Sequence, residues 1–307
     1  MKLSRSKQYI SWINLATFLA IVSICIAFYA MITKYLTWKS SEFGKEGFFL
    51  ESFFRKKSNI GIVSMMKDPK NIETWLDMHR VLGIRHFYIR LEETPDLELF
   101  LKNQPDVTVR SGKSSGVNEY EDIQIRQNAW VDEALKMATL DNQQVKWLIH
   151  IDADEILQGN LDQIAQLPEN VRTFWMQNLE AKYSKIPSES DNCFEASTFV
   201  DCSKHPDKCV SYGNGKSGGR AAPDVVANGP HRMKTNTPNS SMPKLSDVFV
   251  QHYESCDFET YKKKFKRLAV QDKNNDIPFP YYNESIEACK HDDDDELRRI
   301  YTKYRIE

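Results

Sequence analysis

Residues 146–157 read KWLIHIDADEIL, and this stretch decides how the whole 307-residue chain is read. WLIHI (147–151) is a short apolar run with β-branched members, the composition of a buried strand. It runs straight into Asp152-Ala153-Asp154-Glu155. Alternate side chains of a strand share a face, so Asp152 and Asp154 point to one side if the extended geometry persists. Two carboxylates placed that way can share one divalent cation through oxygen ligands. An isolated Asp-x-Asp is also an ordinary way to end a strand in a turn, so its surroundings decide between the two readings.

Upstream, strand and helix signals alternate. NIGIVSMM (59–66) is a strand that Lys67-Asp68-Pro69 stops. Asp68 and Pro69 open a helix in which Ile72, Trp75, Leu76, His79 and Leu82 recur at helical spacing until Gly83. HFYIRL (86–91) is the second strand, Thr94-Pro95 starts a helix through Leu97, Phe100 and Leu101, and VTVR (107–110) is the third strand. A polar loop (111–119) leads to a long helix marked by Ile123, Trp130, Ala134, Leu135 and Met137 and ending near Leu140. This order predicts an α/β fold with a parallel sheet and right-handed crossovers. Ligands of such sheets bind beyond the carboxyl ends of the strands, where Asp152 and Asp154 stand. Trp75, His79 and Trp130 read as core, and His150 falls on the opposite strand face from Ile149 and Ile151 as a structural residue.

Downstream the pattern is less regular. A helix at 160–167 and a strand TFWM (173–176) precede a segment, 187–246, rich in proline, glycine and cysteine, with GNGKSGGR (213–220) and ANGPHRMK (227–234) as basic islands. VFVQHY (248–253) reads as a strand and YKKKFKRLAV (261–270) as a basic amphipathic helix. The consecutive acids of HDDDDE (291–296) point in different directions and repel one another, so they read as solvated charge. No GxSxG elbow is present, and neither a P-loop nor a GxGxxG follows the first strand.

The charge distribution sharpens the organisation. The formal balance is −2, yet the first 41 residues hold Lys2, Arg5, Lys7, Lys34 and Lys39 and no carboxylate, leaving the remainder near −7. That excludes a basic nucleic-acid binder, and 41% apolar residues exclude disorder over most of the length. Nothing between Lys7 and Lys34 is charged. At ~1.5 Å per residue, residues 12–33 can cross a hydrocarbon core of ~30 Å, and they exceed the apolar part of a cleaved signal peptide. They are predicted to be a transmembrane signal anchor. Lys2, Arg5 and Lys7 favour a cytoplasmic tail (1–11); residues 34–58 then read as a stem, and 59–307 as a domain facing the lumen of the Golgi or another secretory compartment. There Cys193, Cys202, Cys209, Cys256 and Cys289 can form two disulfides and leave one thiol, with zinc as the rival reading. Asn239 and Asn283 fit the N-glycosylation pattern.

Several segments together carry a family resemblance. KWLIHIDADEIL, NIETWLDMHRVLGIRHFYI (71–89), QIRQNAWVDEAL (124–135), GKSGGR (215–220), GPHRMK (229–234), VQHYES (250–255) and FETYKKKFKR (258–267) resemble successive blocks of GT-A-type glycosyltransferases, in particular the family 2-like and family 92 group, over roughly residues 59–268. The resemblance implies a GT-A-like (Rossmann-like) mixed sheet with helices on both faces, preceded here by one transmembrane helix. It implies a metal-dependent, inverting, hexosyltransferase-like enzyme that moves a sugar from a nucleotide-sugar donor to a glycan or glycoconjugate acceptor.

Carried to single residues, the resemblance implies that Asp152 and Asp154 hold Mn or Mg with the donor diphosphate. A later histidine, His252 in preference to His231, completes the metal site. Lys216, Arg220 and Arg232 lie in glycine-containing loops suited to phosphate oxygens, and Gln127, with Gln124 and Arg126, opens a helix that can face the nucleotide. Inversion needs a carboxylate base, for which Asp191, Glu195, Asp224 and Glu254 are candidates that spacing does not separate. Arg90-Leu91-Glu92-Glu93 stands where those families usually carry a Tyr-Asp-Asn type ending, which leaves the donor's identity open. Two other functions fit the residues: a membrane-tethered binding or scaffold protein that kept the fold without turnover, and a metal-dependent enzyme acting on phosphate esters, which needs further carboxylates at a second metal.

Overall fold

The computed structural model of the protein describes residues 57–113, 119–140, 144–270 and 279–306. The tail, the anchor and nearly all of the stem expected from the sequence lie outside the described residues. Among the described residues, no helix is long and apolar enough to cross a membrane.

The first half follows the predicted alternation: β1 (Ile60–Met66), α1 (Ile72–Leu82), β2 (His86–Glu92), α2 (Pro95–Lys102), β3 (Val107–Gly112), α3 (Glu119–Leu140) and β4 (Trp147–His150). The four strands are parallel in the order β3-β2-β1-β4. Period-two alternation divides their side chains between two cores. Ile60, Ile62, Phe87, Ile89, Trp147 and Ile149 pack with Trp75 and Leu76 of α1 and Leu101 of α2. Val63, Met65, Tyr88 and Leu148 pack with Trp130, Val131, Ala134 and Leu135 of α3. Helices therefore cover both faces.

The second half adds β5 (Glu155–Gly159), α4 (Asp162–Ala165), β6 (Thr173–Lys182), β7 (Thr198–Asp201), β8 (Lys216–Arg220), β9 (Val225–Ala227), β10 (Met233–Thr235), β11 (Lys244–His252), α5 (Phe258–Val270), α6 (Pro280–Lys290) and α7 (Asp294–Arg305). The main sheet continues β4-β8-β6-β11-β5, with β7 also paired to β6. β8 runs antiparallel to both β4 and β6, β11 parallel to β6, and β5 antiparallel to β11. The result is a mixed α/β sheet.

The connection from β4 to β5 forces this sheet to curl. Four strand spacings of a flat sheet amount to about 19 Å, whereas the five residue steps from His150 to Glu155 reach about 17 Å fully extended. They are not extended, because the Glu155 N–H donates to the Asp152 carbonyl in a turn at 3.2 Å. The far edge of the sheet must therefore swing round toward the end of β4.

Two segments differ from the sequence reading, and a third, EILQG, has no counterpart in it. GKSGGR is read as a loop, but Lys216–Arg220 is an interior strand. Its glycines let neighbouring side chains close over it: a Cβ on Gly218 would sit 2.4 Å from Phe174 Cζ. EILQG is an edge strand, because Glu155 leaves the turn in register with His252 of β11. HDDDDE is more than solvated charge. Asp293 caps α7 by accepting from the Glu296 N–H at 2.9 Å, and Asp294, Asp295 and Glu296 stand in its first turn, where carboxylates complement the helix dipole. Two disulfides, Cys193–Cys256 and Cys202–Cys209, leave Cys289 as a thiol. Asn239 and Asn283 are exposed.

Trp75, His79 and Trp130 are buried, as their spacing predicts. His79 bridges α1 to the edge strand: its Nδ1–H donates to the Trp75 carbonyl at 2.7 Å, and its Nε2 accepts the Leu157 N–H at 2.9 Å. Burial pushes its pKa down to about 3, against the raising effect of the Trp75 carbonyl. The neutral ring contributes stability that is full above the unfolded value of 6.5 and is lost as pH falls toward the folded one. Between about pH 6.5 and 4.5 the wild type should lose about 2 kcal/mol more stability than His79→Leu, measured by urea unfolding at each pH.

Candidate active site

The extended geometry assumed for the Asp-x-Asp stretch ends at His150, and the two carboxylates turn to different partners. Asp152 Oδ1 accepts from Gln127 Nε2 of α3 at 3.0 Å, and its Oδ2 from Lys216 Nζ of β8 at 2.5 Å. Its N–H donates to Glu155 Oε2 at 2.7 Å. Lys216 is fully buried and also lies 3.2 Å from Glu155 Oε2. The Tyr212 hydroxyl donates to the other Glu155 oxygen. Burial works against the Asp152 carboxylate, but Lys216 and then His150 outweigh it and hold the pKa well below the carboxylate range. Burial pushes Glu155 up to about 7, with Asp152 adding to the rise and Lys216 opposing it. Burial would also discharge Lys216, yet Asp152 and Glu155 raise its pKa above the ordinary value.

Asp154 faces the end of β11. The Tyr253 N–H donates to its carbonyl at 2.8 Å, and its Oδ2 lies 3.7 Å from His252 Nε2. Glu254 Oε2 lies 3.9 Å from the same nitrogen. One ligand atom from each of Asp154, His252 and Glu254 falls within 4.8 Å of the others. Among the described residues the other grouping of this kind is Cys193, Cys256 and Asp257, whose two sulfurs are joined in a disulfide.

The charge of the Asp154 cluster is lopsided. His252 Nδ1 faces Glu180 Oε2 of β6 at 3.0 Å. Burial alone would lower the His252 pKa, but Glu180, Asp154 and Glu155 raise it to about 10. Burial, with Glu254 and Asp152 alongside, raises Asp154 against the pull of His252. Glu254 is opposed by burial but brought down to about 2, chiefly by Lys264 and His252. One imidazole and two carboxylates, with a buried carboxylate behind the imidazole, form a donor set that suits a hard divalent cation. Without one, a proton on His252 supplies the positive charge.

A cavity of about 220 Å³ opens beside this cluster and adjoins a second of about 510 Å³. The smaller is lined by Asp154, Glu254, Phe194, Tyr253 and the Cys193–Cys256 bridge. The larger is lined by Gln127, Arg126 and Glu92, and by Lys263, Lys264 and Arg267 of α5. Lys67, Lys70, Thr260 and Lys264 line both. Glu92, at the end of β2, is held by Arg126 through two hydrogen bonds of 2.7 and 3.0 Å.

The remaining residues singled out in the sequence separate clearly. His231 packs with its ring centroid 4.2 Å from that of Tyr212, tilted by 44°, and burial together with Lys216 pushes its pKa down to about 3. Arg232 donates to the Gly215 and His231 carbonyls at 3.2 and 2.9 Å, tying the two basic loops together. Arg220 stands opposite Trp147, at the far end of β4 from Asp152, with its guanidinium 4.3 Å from that ring. Of the four base candidates, Glu254 lines the cleft. Asp191 and Glu195 line a separate cavity of about 150 Å³, and Asp224 is bound by Arg172 at 2.9 Å and Thr235 at 2.7 Å. Glu155, Tyr212, Glu180 and Lys264 were not singled out in the sequence. The adjacency of Glu155 to the Asp-x-Asp and the place of Lys264 in the basic helix were the available signals.

No family model matches the chain. Two glycosyltransferase-like proteins of Arabidopsis thaliana are similar to it, one 22% identical over 250 residues (66% of this chain, 55% of the relative) and one 21% identical over 250 residues (66% and 48%). The chain spans about half the length of these curated relatives. Among solved structures, HddC from Yersinia pseudotuberculosis complexed with GMP-PN is 8% identical, with a TM-score of 0.32 over 68% of this chain and 99% of that one. 4-Diphosphocytidyl-2C-methyl-D-erythritol synthase from Anaerococcus prevotii is 15% identical, with a TM-score of 0.28 over 54% of this chain and 70% of that one. In sequence, the chain is therefore similar to glycosyltransferase-like proteins.

Removing the Lys216 charge leaves Asp152 and Glu155 without their counter-ion. Lys216→Met should destabilise the protein by about 3–5 kcal/mol, read from the midpoint of urea unfolding.

Proposed function

We propose that the chain is a GT-A-type, metal-dependent glycosyltransferase that moves a sugar from a nucleotide-sugar donor to a glycan or glycoconjugate acceptor. The observation that carries this reading is the Asp154, His252 and Glu254 cluster at the mouth of a cleft with cationic walls. The glycosyltransferase-like relatives support the transferase class. Asp154, His252 and Glu254 would hold Mn or Mg, which neutralises charge gathering on the departing diphosphate. Glu254 suits a ligand better than a general base, since its low pKa leaves little affinity for a proton. Asp152, paired with Lys216 and Gln127, fixes the turn that presents Asp154.

Lys263, Lys264 and Arg267 line the larger cavity, where charge-assisted hydrogen bonds suit the donor's phosphate oxygens. The smaller cavity, which Asp154 and Glu254 line, is assigned to the acceptor. Residues 12–33 are proposed to anchor the protein as a single-pass type II protein of the Golgi or another secretory-pathway membrane. Two disulfides support an oxidising compartment.

The test is nucleotide release by the full chain in detergent across a panel of nucleotide sugars, with and without Mn. One donor should be turned over in a Mn-dependent way, and Asp154→Asn should lower that rate by about 100-fold or more. If no donor is turned over with any metal, the reading is overturned in favour of a non-catalytic scaffold.

A further inference from the structure

The His252 ring is held by more than its own strand. β11 lies parallel to β6 with His252 and Glu180 in register, so the Nδ1 atom of the ring meets Glu180 Oε2 at 3.0 Å. The other Glu180 oxygen accepts from Arg305 Nη1. Arg305 is the last residue of α7, and both it and Glu180 have no exposed surface. The backbone locks the same junction: the Tyr183 N–H donates to the Arg305 carbonyl at 3.0 Å, and Tyr183 and Ile306 form a parallel bridge. The Arg305 guanidinium also packs 5.4 Å from the Tyr183 ring.

A buried ion pair is commonly no more stabilising than apolar side chains of the same volume. Stability alone therefore does not account for an arginine and a glutamate at this place in the core. What the pair does supply is direction. With Nδ1 fixed on Glu180, the His252 Nε2 turns toward Asp154 and Glu254.

We infer that Glu180 and Arg305 are positioning residues of the cation site, Arg305 fixing Glu180 and Glu180 fixing His252. Helix α7, far along the chain from Asp154, is thereby part of the site. This inference rests on the metal-dependent reading above.

The experiment is calorimetric titration of Mn2+ alone into the full chain in detergent, with a thermal melt of every variant. Glu180→Gln, which keeps the volume and removes the charge, should weaken Mn2+ binding by about 10- to 100-fold. The double variant Glu180→Leu/Arg305→Met removes both charges together, so it should melt close to the wild type and bind Mn2+ as weakly as Glu180→Gln. Arg305→Lys should recover part of the affinity that Arg305→Met loses. If the wild type binds Mn2+ and Glu180→Gln and the folded double variant bind it equally well, the positioning role is overturned while the metal site stands. If the wild type itself takes up no Mn2+, the metal-dependent reading fails and this inference falls with it.

Discussion

A lysine ammonium with no exposed surface sits between Asp152 and Glu155, and the arrangement of the site follows from it. Carboxylates at the end of an apolar sheet are costly to keep charged unless a counter-ion and hydrogen bonds meet them. Lys216 meets both, Gln127 takes a further Asp152 oxygen, and Tyr212 the remaining Glu155 oxygen. Glu155 in turn holds the Asp152 backbone. The turn is thereby tied from three directions, and Asp154 is presented from a rigid support.

The second constraint is the short link between β4 and β5. Because it cannot span a flat sheet, the far edge curls round, and the end of β11 arrives beside Asp154. That closure joins residues nearly a hundred positions apart into one cluster. It also places α5 along the cleft, so that a helix with a run of basic residues faces a site built from carboxylates.

Much of this was legible in advance where periodicity was strong. The βαβ units, the two-faced core and the burial of Trp75, His79 and Trp130 all follow from apolar spacing. The placement of Asp152 and Asp154 at a strand's carboxyl end was legible too. Their sharing of one face was not, since it assumed a strand that stops at His150. The glycines of GKSGGR suggested a loop, because sequence cannot distinguish a glycine needed for a turn from one needed for close packing beneath Phe174. The acid run at 291–296 looked inert because its role as a helix start depends on a helix whose buried face is set by α5 and α6.

By itself the sequence determined the class of fold and the strand end that carries the acids, since both rest on local alternation of apolar and polar residues. Only the tertiary structure decided which groups face one another there. Lys216 with Asp152, and Glu254 with His252 and Asp154, meet through strand order and sheet curvature, and Arg305 reaches Glu180 across a separation of 125 positions. Such pairings depend on long-range register and on the need to neutralise buried charge, neither of which any local window of residues contains.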